Sequence, residues 1–433
     1  MGKYYSMFRI FVLSIVVCGQ LYGASAMDSH TLSLDQVLAK ALASSPTMAE
    51  ARRNLELSGL TVEDAEANFL PSLSFDSSHS TGGQFNPMTG QEPTRSSSAG
   101  VNLSSNLFNN GKDVKTLESA EVGVALAKLA FDEAKAKLVL DVKTSFFNLS
   151  RSFAALQIQT QRHKTIELVF GRTSKAYTQG LKSKTDYLRL KNELQQSKLT
   201  LREATGSFQD MERSLRVTMG LSPLDPIKFQ FLKVGNDSIK PLPESLPFAG
   251  HYVDRRLELQ NRKSKIATDL VRRDLYPKVD LSVGGGYTTA NYLSNDGYIG
   301  DKSRNWSVTL GMSYPLWDNG RGRRSMRRAL IEEKNTASRA ETTKHETLKT
   351  LEELLIRSRQ TLEDFSIQEE LLSGEKDSFA VVEKKYREGK LSYLDFDKGV
   401  NSLYSAQESY VTTYFELKTI EAQFEFHQGG VSP

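Results

Sequence analysis

Leu107-Phe108-Asn109-Asn110-Gly111 and Leu316-Trp317-Asp318-Asn319-Gly320 are two versions of one motif, 209 residues apart (320 minus 111), and each precedes a long segment without proline. A second motif recurs at the same offset. Its paired residues are Tyr177 and Tyr386, Gly180 and Gly389, Ser183 and Ser392, Asp186 and Asp395, and Tyr187 and Phe396. Repetition at a fixed distance indicates a duplicated structural unit.

A third match sets the extent of this unit. Leu70-Pro71-Ser72-Leu73-Ser74-Phe75 resembles Tyr276-Pro277-Lys278-Val279-Asp280-Leu281 at an offset of 206 residues (276 minus 70). A connector between the halves is marked by Pro223, Pro226, Pro241, Pro243 and Pro247. We therefore predict a first repeat over residues 27–230 and a second over residues 231–433. Each is expected to run helix, strand, hairpin loop, strand, long helix, tight turn, helix.

The proline-free segments are predicted to form very long paired helices. No proline lies in residues 94–222 or 316–432, and proline inside a helix costs about 3 kcal/mol. Apolar residues recur at steps of three and four from Leu117 onward, which is the spacing of a coiled-coil seam. We predict antiparallel helix pairs over about 112–219 and about 321–427. The longest helix would be roughly 95 Å long at about 1.5 Å per residue.

Segments that precede the long helices alternate apolar with small or polar residues, which predicts β-strands. Trp306, Val308, Leu310, Met312, Tyr314 and Leu316 form the clearest run. We predict strands over about 72–80, 97–108, 278–290 and 305–317, with loops from Thr81 to Arg95 and from Asn291 to Arg304. A tilted transmembrane strand has about ten residues. Because four strands cannot close a barrel and open edges are not tolerated in lipid, protomers are expected to share one barrel.

The N-terminal segment predicts export from the cytoplasm. Basic residues precede an apolar run that ends at Cys18, and Ala24-Ser25-Ala26 is a small-residue cleavage pattern. Residues 1–26 are therefore expected to form a signal peptide. Lipidation at Cys18 is the alternative, although a lipoprotein signal places a small residue before the cysteine and this chain has Val17 there.

Charge and histidine spacing argue against nucleic-acid binding and catalysis. Without residues 1–26 the chain has 54 Lys and Arg (56 minus 2) against 52 Asp and Glu, which lacks the excess of a nucleic-acid binder. The 6 histidines are not spaced to share a metal, so we expect no enzyme activity, metal or cofactor. A basic cluster at residues 321–328 is interpreted as a solvated helix start, with a lumen-facing or lipid-headgroup role as alternatives.

With these motifs in place, the chain resembles the TolC-type outer-membrane efflux protein family over nearly its full length. The resemblance rests on the duplicated Leu-Pro and Tyr-Pro junctions, the Asn-Gly junctions and the Tyr-x-x-Gly-x-x-Ser-x-x-Asp turn. It implies a mixed membrane α/β fold, in which four transmembrane β-strands per protomer join a twelve-stranded barrel in a homotrimer. Long antiparallel coiled-coil helices would continue this barrel as an α-barrel.

The same resemblance implies a function and a set of partners. It implies an efflux or type I secretion channel in the outer membrane of a Gram-negative bacterium, surrounded by outer-membrane lipid and extending into the periplasm. A periplasmic adaptor protein and an inner-membrane transporter would open it. The alternative is a structural coiled coil or adaptor of the periplasm, which would share the signal peptide and helical seams but lack two strand pairs embedded between helices.

The resemblance places a gate at the turn between the helices of each long pair. Asp186 and Asp395 match positions at the narrow periplasmic entrance, and Tyr386 matches a tyrosine that holds the entrance shut. Two positions depart from the family pattern. Leu391 stands where an arginine is expected, and Lys398 stands where a second acidic residue is expected.

Other residues of the two turns complete the predicted gate. Asp397 and Lys390 are close enough in sequence to replace the missing groups. The turn tips comprise Gly180, Ser183, Gly389 and Ser392, with left-handed backbone expected at the glycines. Asp186 and Asp395 either form a charged constriction that binds cations or cap the helices that follow them.

Overall fold

The computed structural model describes residues 31–86, 90–235, 248–294 and 297–429, so the predicted signal peptide and Cys18 lie outside the described residues. In chain order the elements are β1 Thr31–Leu32, α1 Leu34–Ser44, α2 Pro46–Ala67, β2 Ser72–Asn86, β3 Gly90–Phe108, α3 Lys112–Thr178, α4 Lys184–Thr218, β4 Lys228–Phe229, α5 Tyr252–Arg273, β5 Lys278–Ser294, β6 Gly297–Ser313, α6 Arg321–Arg387 and α7 Tyr393–His427. None of the helices in these ranges is both long enough and apolar enough to cross a membrane.

The two halves of the chain form equivalent units. α3 and α6 each have 67 residues, α4 and α7 each have 35, and α2 and α5 each have 22. Every boundary of the four long helices is shifted by 209 residues (321 minus 112). At about 1.5 Å per residue, α3 and α6 are roughly 100 Å long. The duplication therefore extends to the residue at which each long helix begins and ends.

Four strands form one antiparallel sheet in the order β2-β3-β5-β6. Each repeat contributes one hairpin, and the pairing of β3 with β5 joins the two hairpins into a single sheet. β2 and β6 lie at the edges, each paired on one side only within the described part of the chain. The sheet therefore presents two long open edges.

Side chains divide the sheet into an apolar face and a polar face. One row of cross-strand neighbours is Leu73, Leu103, Val283 and Val308, and a second row on the same face is Phe75, Val101, Gly285 and Trp306. The row between them consists of Ser74, Asn102, Gly284 and Ser307. The apolar side chains are not packed inside the protomer, since Leu73 is 71% exposed and Trp306 is 83% exposed.

The hairpins contain more strand than the sequence predicted. β2 continues to Asn86 and β5 continues to Ser294, so most of both predicted loops, 81–95 and 291–304, are strand. Backbone pairing does not require apolar alternation, and segments rich in Ser, Thr and Gly extend a ladder while both strands keep register. The prediction that each strand ends where apolar and polar residues stop alternating is therefore wrong.

The junctions between the sheet and the long helices depend on proline, asparagine and glycine. β6 ends at Ser313, earlier than the predicted residue 317, because Pro315 has no N–H to donate to a ladder. Left-handed backbone follows at Asn110 (φ 58°), Gly111 (φ 69°), Asn319 (φ 55°) and Gly320 (φ 74°). Asn and Gly adopt this conformation most readily, so the chain can turn sharply into each long helix.

The largest core cluster lies near the middle of the long helices. Phe146 and Leu149 of α3 pack there with Leu215 of α4 and Tyr414 of α7, and none of these is more than 1% exposed. α1 contributes Val37 to the same cluster. β1 pairs in parallel with β4, which brings the N-terminal segment against the connector. The helices are thus fixed to one another at this level, and the helix pairs extend away from it to their turns.

Two glycines with the same backbone conformation give a matched test of packing. Gly220 and Gly180 both have φ of +75°. A Cβ on Gly220 would lie 2.7 Å from Pro46 Cδ and 2.8 Å from the Ser44 carbonyl oxygen, whereas a Cβ on Gly180 would meet no atom within 4 Å. We expect Gly180→Ala to lower the free energy of unfolding by about 1 kcal/mol and Gly220→Ala by about 3 kcal/mol or more, in denaturant titrations. Equal losses in the two variants would contradict the packing of Gly220 against α2.

Candidate functional site: the turns of the long helix pairs

Each long helix pair ends in a turn of the same construction. After α3, the Gly180 N–H donates to the Tyr177 carbonyl and the Leu181 N–H donates to the Ala176 carbonyl, both at 2.9 Å. The second turn repeats both bonds at 3.0 Å, with Gly389 in the place of Gly180. Gly180 and Gly389 have φ of +75° and +71°, the left-handed conformation that this type of helix end requires.

Serines, not aspartates, cap the returning helices. The Ser183 hydroxyl accepts the Asp186 N–H at 3.0 Å, and the Ser392 hydroxyl accepts the Asp395 N–H at 3.2 Å. The Ser392 hydroxyl also donates to Asp395 Oδ2 at 2.6 Å. The aspartates, which were candidate caps, occupy the first turn of each helix instead, where the helix dipole favours a negative charge. Their carboxylates lie at the two turns, Asp395 exposed and Asp186 half-buried.

An aromatic pair lies behind each turn. The rings of Tyr177 and Tyr187 stack at 4.8 Å, and the rings of Tyr386 and Phe396 stack at 4.4 Å. Lys182, from the first turn, places its Nζ 5.7 Å from the centre of the Tyr386 ring, which is within the range of a cation–π interaction. Tyr386 therefore contacts the turn of the other repeat, and the two turns lie side by side.

The two residues considered as replacements have different surroundings. Lys390 Nζ donates to Glu388 at 2.8 Å within its own turn, and both side chains are exposed. Asp397 accepts from Asn401 Nδ2 at 3.2 Å. Burial, with the negative charge of Asp397 nearby, raises the pKa of Tyr393. Asp397 is thus half-buried and paired within α7, whereas the ion pair of Lys390 stays within its own turn.

The two departures from the family pattern form no polar contact between the repeats. Lys398 is exposed and Leu391 is half-buried. Within the described ranges, neither side chain makes a hydrogen bond or an ion pair. Any polar contact that holds the helix pairs together must therefore come from other residues.

Three polar contacts join α3 to α7 behind the turns, and we name them the polar ladder. They are Thr165 Oγ1 with Tyr404 OH at 3.1 Å, Arg162 Nη2 to Asn401 Oδ1 at 2.8 Å, and Gln159 Nε2 to Glu408 Oε1. Arg162 Nη2 also donates to Glu193 Oε1 of α4 at 3.1 Å. Because α3 and α7 belong to different repeats, the ladder holds one helix pair against the other.

Sequence reasoning missed the polar ladder. Its residues on α3 are spaced by three, and its residues on α7, from Asn401 to Glu408, are spaced by three and four. Gln159 and Tyr404 are buried, at 7% and 5% exposure. Polar residues at seam spacing were the available signal, since a coiled-coil seam is otherwise apolar. Which helix they would face was not visible in the sequence.

Comparison with known proteins assigns this architecture to one family. The sequence profile of the outer membrane efflux protein family matches residues 37–221 and 255–429, one segment in each repeat. The chain therefore belongs to the outer membrane efflux protein family. This membership favours a channel over the alternative of a periplasmic coiled coil or adaptor.

Individual relatives are distant in sequence but close in fold. Nodulation protein T of Rhizobium leguminosarum bv. trifolii is 21% identical over 276 residues, which cover 63% of this chain and 58% of that protein. The Campylobacter jejuni CmeC outer membrane channel superposes with a TM-score of 0.79 at 12% identity, over 92% of this chain and 85% of that chain. The Vibrio cholerae outer membrane protein VceC superposes with a TM-score of 0.74 at 16% identity, over 92% and 96% of the two chains.

Family and fold together define the protein as an outer-membrane efflux channel of a Gram-negative bacterium, not an enzyme. The predicted fold class is confirmed: very long helices in antiparallel pairs accompany a four-stranded transmembrane sheet. The apolar rows of the sheet are the surface that such a protein presents to lipid.

Proposed function

We propose that the protein is the passive trans-periplasmic duct of a tripartite efflux pump or a type I secretion system. Three copies share one barrel of twelve strands, which outer-membrane lipid surrounds. Their long helices continue the duct toward the inner membrane, and the turns of the helix pairs form its gate. A periplasmic adaptor and an inner-membrane transporter open this gate and provide the energy for transport.

The open edges of the sheet carry this proposal. β2 and β6 each leave one side of the backbone unpaired among the described strands, and unpaired N–H and C=O groups are too costly in lipid. The smallest single-chain membrane barrels have eight strands, so a chain that contributes four must associate with copies of itself. Pairing β6 of one protomer with β2 of the next keeps every strand antiparallel to its neighbours.

Mass and conductance of the purified channel test the proposal. The full chain, extracted from outer membranes in a nonionic detergent, is expected to have the mass of a trimer. After insertion into a planar bilayer it should form discrete channels that conduct poorly without its partners, because the gate is closed. A monomer in the soluble periplasmic fraction, or a trimer that never conducts, would overturn it.

The gate is expected to bind cations through Asp186 and Asp395. In a trimer these aspartates supply three carboxylates each to a narrow constriction, where like charges held close together attract counterions strongly. The double variant Asp186→Asn and Asp395→Asn is expected to weaken block of the channel by lanthanum(III) about tenfold or more, in single-channel recordings. Its cation selectivity should also fall.

A matched control changes the same number of charges elsewhere. Asp132 of α3 and Asp364 of α6 are exposed and lie far from the turns along their helices. The double variant Asp132→Asn and Asp364→Asn is expected to keep the block and selectivity of the parent channel. If both double variants behave like the parent, the aspartates do not line the constriction.

A further inference from the structure

Five exposed arginines surround the start of α6, and we name them the arginine collar: Arg321, Arg323, Arg324, Arg327 and Arg328. Within the ranges that the structure describes, no carboxylate forms an ion pair with any of them. Arg324 Nη1 donates to the Asn319 carbonyl at 2.9 Å. The first turn of α6 contains no acidic residue. The collar is therefore a concentrated positive charge that the protomer itself does not neutralise.

Asp318, the carboxylate nearest to Arg321 in the sequence, already accepts hydrogen bonds from the backbone. Asp318 Oδ1 accepts from the Gly320 N–H at 2.9 Å, and Oδ2 accepts from the Gly322 N–H at 2.6 Å. These hydrogen bonds hold the pKa of Asp318 below its ordinary value. Asp318 thus accepts two backbone N–H groups at the start of α6 and forms no ion pair with the arginines of the collar.

The first repeat shows that the fold does not require the collar. Lys112 and Lys115 occupy the positions of Arg321 and Arg324 at the offset of 209 residues (321 minus 112). Lys112 pairs with Asp274 at 2.6 Å, and Lys115 pairs with Glu118 at 2.6 Å. The lysines at the start of α3 are therefore neutralised within the protomer, one of them by Asp274 of the second repeat, whereas the start of α6 leaves a larger set of cations for an external partner.

The position of the collar indicates what that partner is. The residues between β6 and α6 include Leu316 and Trp317, which are 88% and 84% exposed. An apolar strand face, then aromatic residues, then cations is the order found across a membrane–water interface. At about 1.5 Å per residue, the collar extends roughly 12 Å from the start of α6. Headgroup regions are about 5–8 Å thick and arginine side chains reach toward them along their apolar stems.

We propose that the arginine collar binds the phosphate groups of anionic phospholipids in the leaflet that faces the periplasm. Arginine suits this ligand because its planar guanidinium forms paired hydrogen bonds with phosphate oxygens. Three collars, one per protomer, would select anionic lipid around the base of the barrel. The inference uses the placement of the sheet in the membrane and is independent of the gate.

Tryptophan fluorescence tests this proposal directly. The chain has 2 tryptophans, so Trp306→Phe leaves Trp317 as a reporter four residues before Arg321. This variant is reconstituted as the assembled full chain into phosphatidylcholine vesicles that contain brominated phosphatidylglycerol or, in parallel, brominated phosphatidylcholine. We expect brominated phosphatidylglycerol to quench Trp317 with an association constant about threefold higher or more. The preference should fall toward unity in about 1 M salt.

Three variants of the reporter protein separate charge at the collar from other effects. Replacing Arg321, Arg323, Arg327 and Arg328 with glutamine is expected to remove the preference, while replacing them with lysine should keep most of it. Replacing Lys349, Lys376, Lys384 and Lys385 with glutamine removes the same charge far along α6 and should have no effect. Assembly of each variant is verified by its mass in detergent.

Three outcomes would overturn the proposal. The reporter protein could show no preference for the anionic lipid, which would point to an acidic protein surface as the partner. The glutamine variant at the collar could keep the full preference, which would assign it to other residues. Millimolar inorganic phosphate could abolish the preference, which would identify a site for free phosphate.

Discussion

Arg162→Met is expected to raise the conductance of the closed channel about tenfold or more, because it removes the central contact of the polar ladder. Arg162 Nη2 donates both to Asn401 of the other repeat and to Glu193. The side chains of Arg162 and Glu193 are only 20% and 22% exposed, so losing these bonds costs about 1–3 kcal/mol. Since about 1.4 kcal/mol changes a population ratio tenfold, the two helix pairs should separate more often.

Single-channel recording with a matched control distinguishes this effect from general destabilisation. Arg357 forms a similar ion pair with Glu416 at 2.6 Å, but that pair joins α6 to α7 within one repeat and is more exposed. Arg357→Met should therefore keep the closed-state conductance of the parent. Asn401→Leu should resemble Arg162→Met, and the double variant should be less than additive because both substitutions remove one contact. Parental conductance in an intact Arg162→Met trimer would contradict the role of the ladder.

Acidification is expected to loosen the contact between the end of α7 and the start of α5. His251 Nε2 lies 3.1 Å from His427 Nδ1, and the two rings stack at 5.4 Å. His251 Nδ1 accepts the Val253 N–H at 3.2 Å, so Nε2 carries the proton and donates to His427. A proton added to His427 Nδ1 would place two donors against each other. The contact therefore requires both rings to be neutral.

The sign of the pH effect follows from the pKa of each histidine. Burial, and then the neighbouring His251, lower the pKa of His427 to about 4. Burial also lowers the pKa of His251, with Glu133 and Asp254 opposing this shift and Arg256 adding to it. When the contact between α5 and α7 opens, each histidine regains its ordinary pKa of about 6.5 and binds a proton more readily. The free energy needed to open this contact is therefore at its full value above pH 6.5. It falls as the pH drops toward 4, by about 2 kcal/mol at pH 5.

Amide hydrogen exchange measures this loss locally. After correction for the intrinsic effect of pH, peptides covering residues 248–256 and 420–429 should exchange about thirtyfold faster at pH 5 than at pH 7. The double variant His251→Ser and His427→Thr installs the residues of the first repeat, Ser45 (251 minus 206) and Thr218 (427 minus 209). Its corrected exchange should not depend on pH. Equal protection of the parent at both pH values would contradict the prediction.

The sequence was most informative where one residue type fixes the backbone. The start of α3 at Lys112 and the left-handed glycines of both turns follow from Asn-Gly and Gly motifs that act locally. Because the motifs recur at a fixed offset, a boundary predicted in one repeat also predicts the corresponding boundary in the other repeat. This explains why the boundaries of the long helices were predictable within a few residues.

Features formed by distant segments were not predictable. Arg162 and Asn401 are separated by 239 positions, and His251 and His427 by 176 positions. Whether such residues meet depends on which faces α3, α5 and α7 present to one another. The joining of β3 to β5 and the full extent of the hairpins likewise depend on backbone pairing, which Ser- and Gly-rich sequence permits without specifying.

The equal lengths of corresponding helices also restrict how this chain can change. The outgoing helices have 67 residues each and the returning helices have 35 each, so both turns lie at one distance from the sheet. Inserting seven residues into one outgoing helix would displace its turn by roughly 10 Å relative to the other. A longer or shorter protein of this architecture would therefore need insertions or deletions of matched size in all four long helices. Each repeat thus fixes the length of its own helix pair, and the two lengths must change together for the turns to stay level.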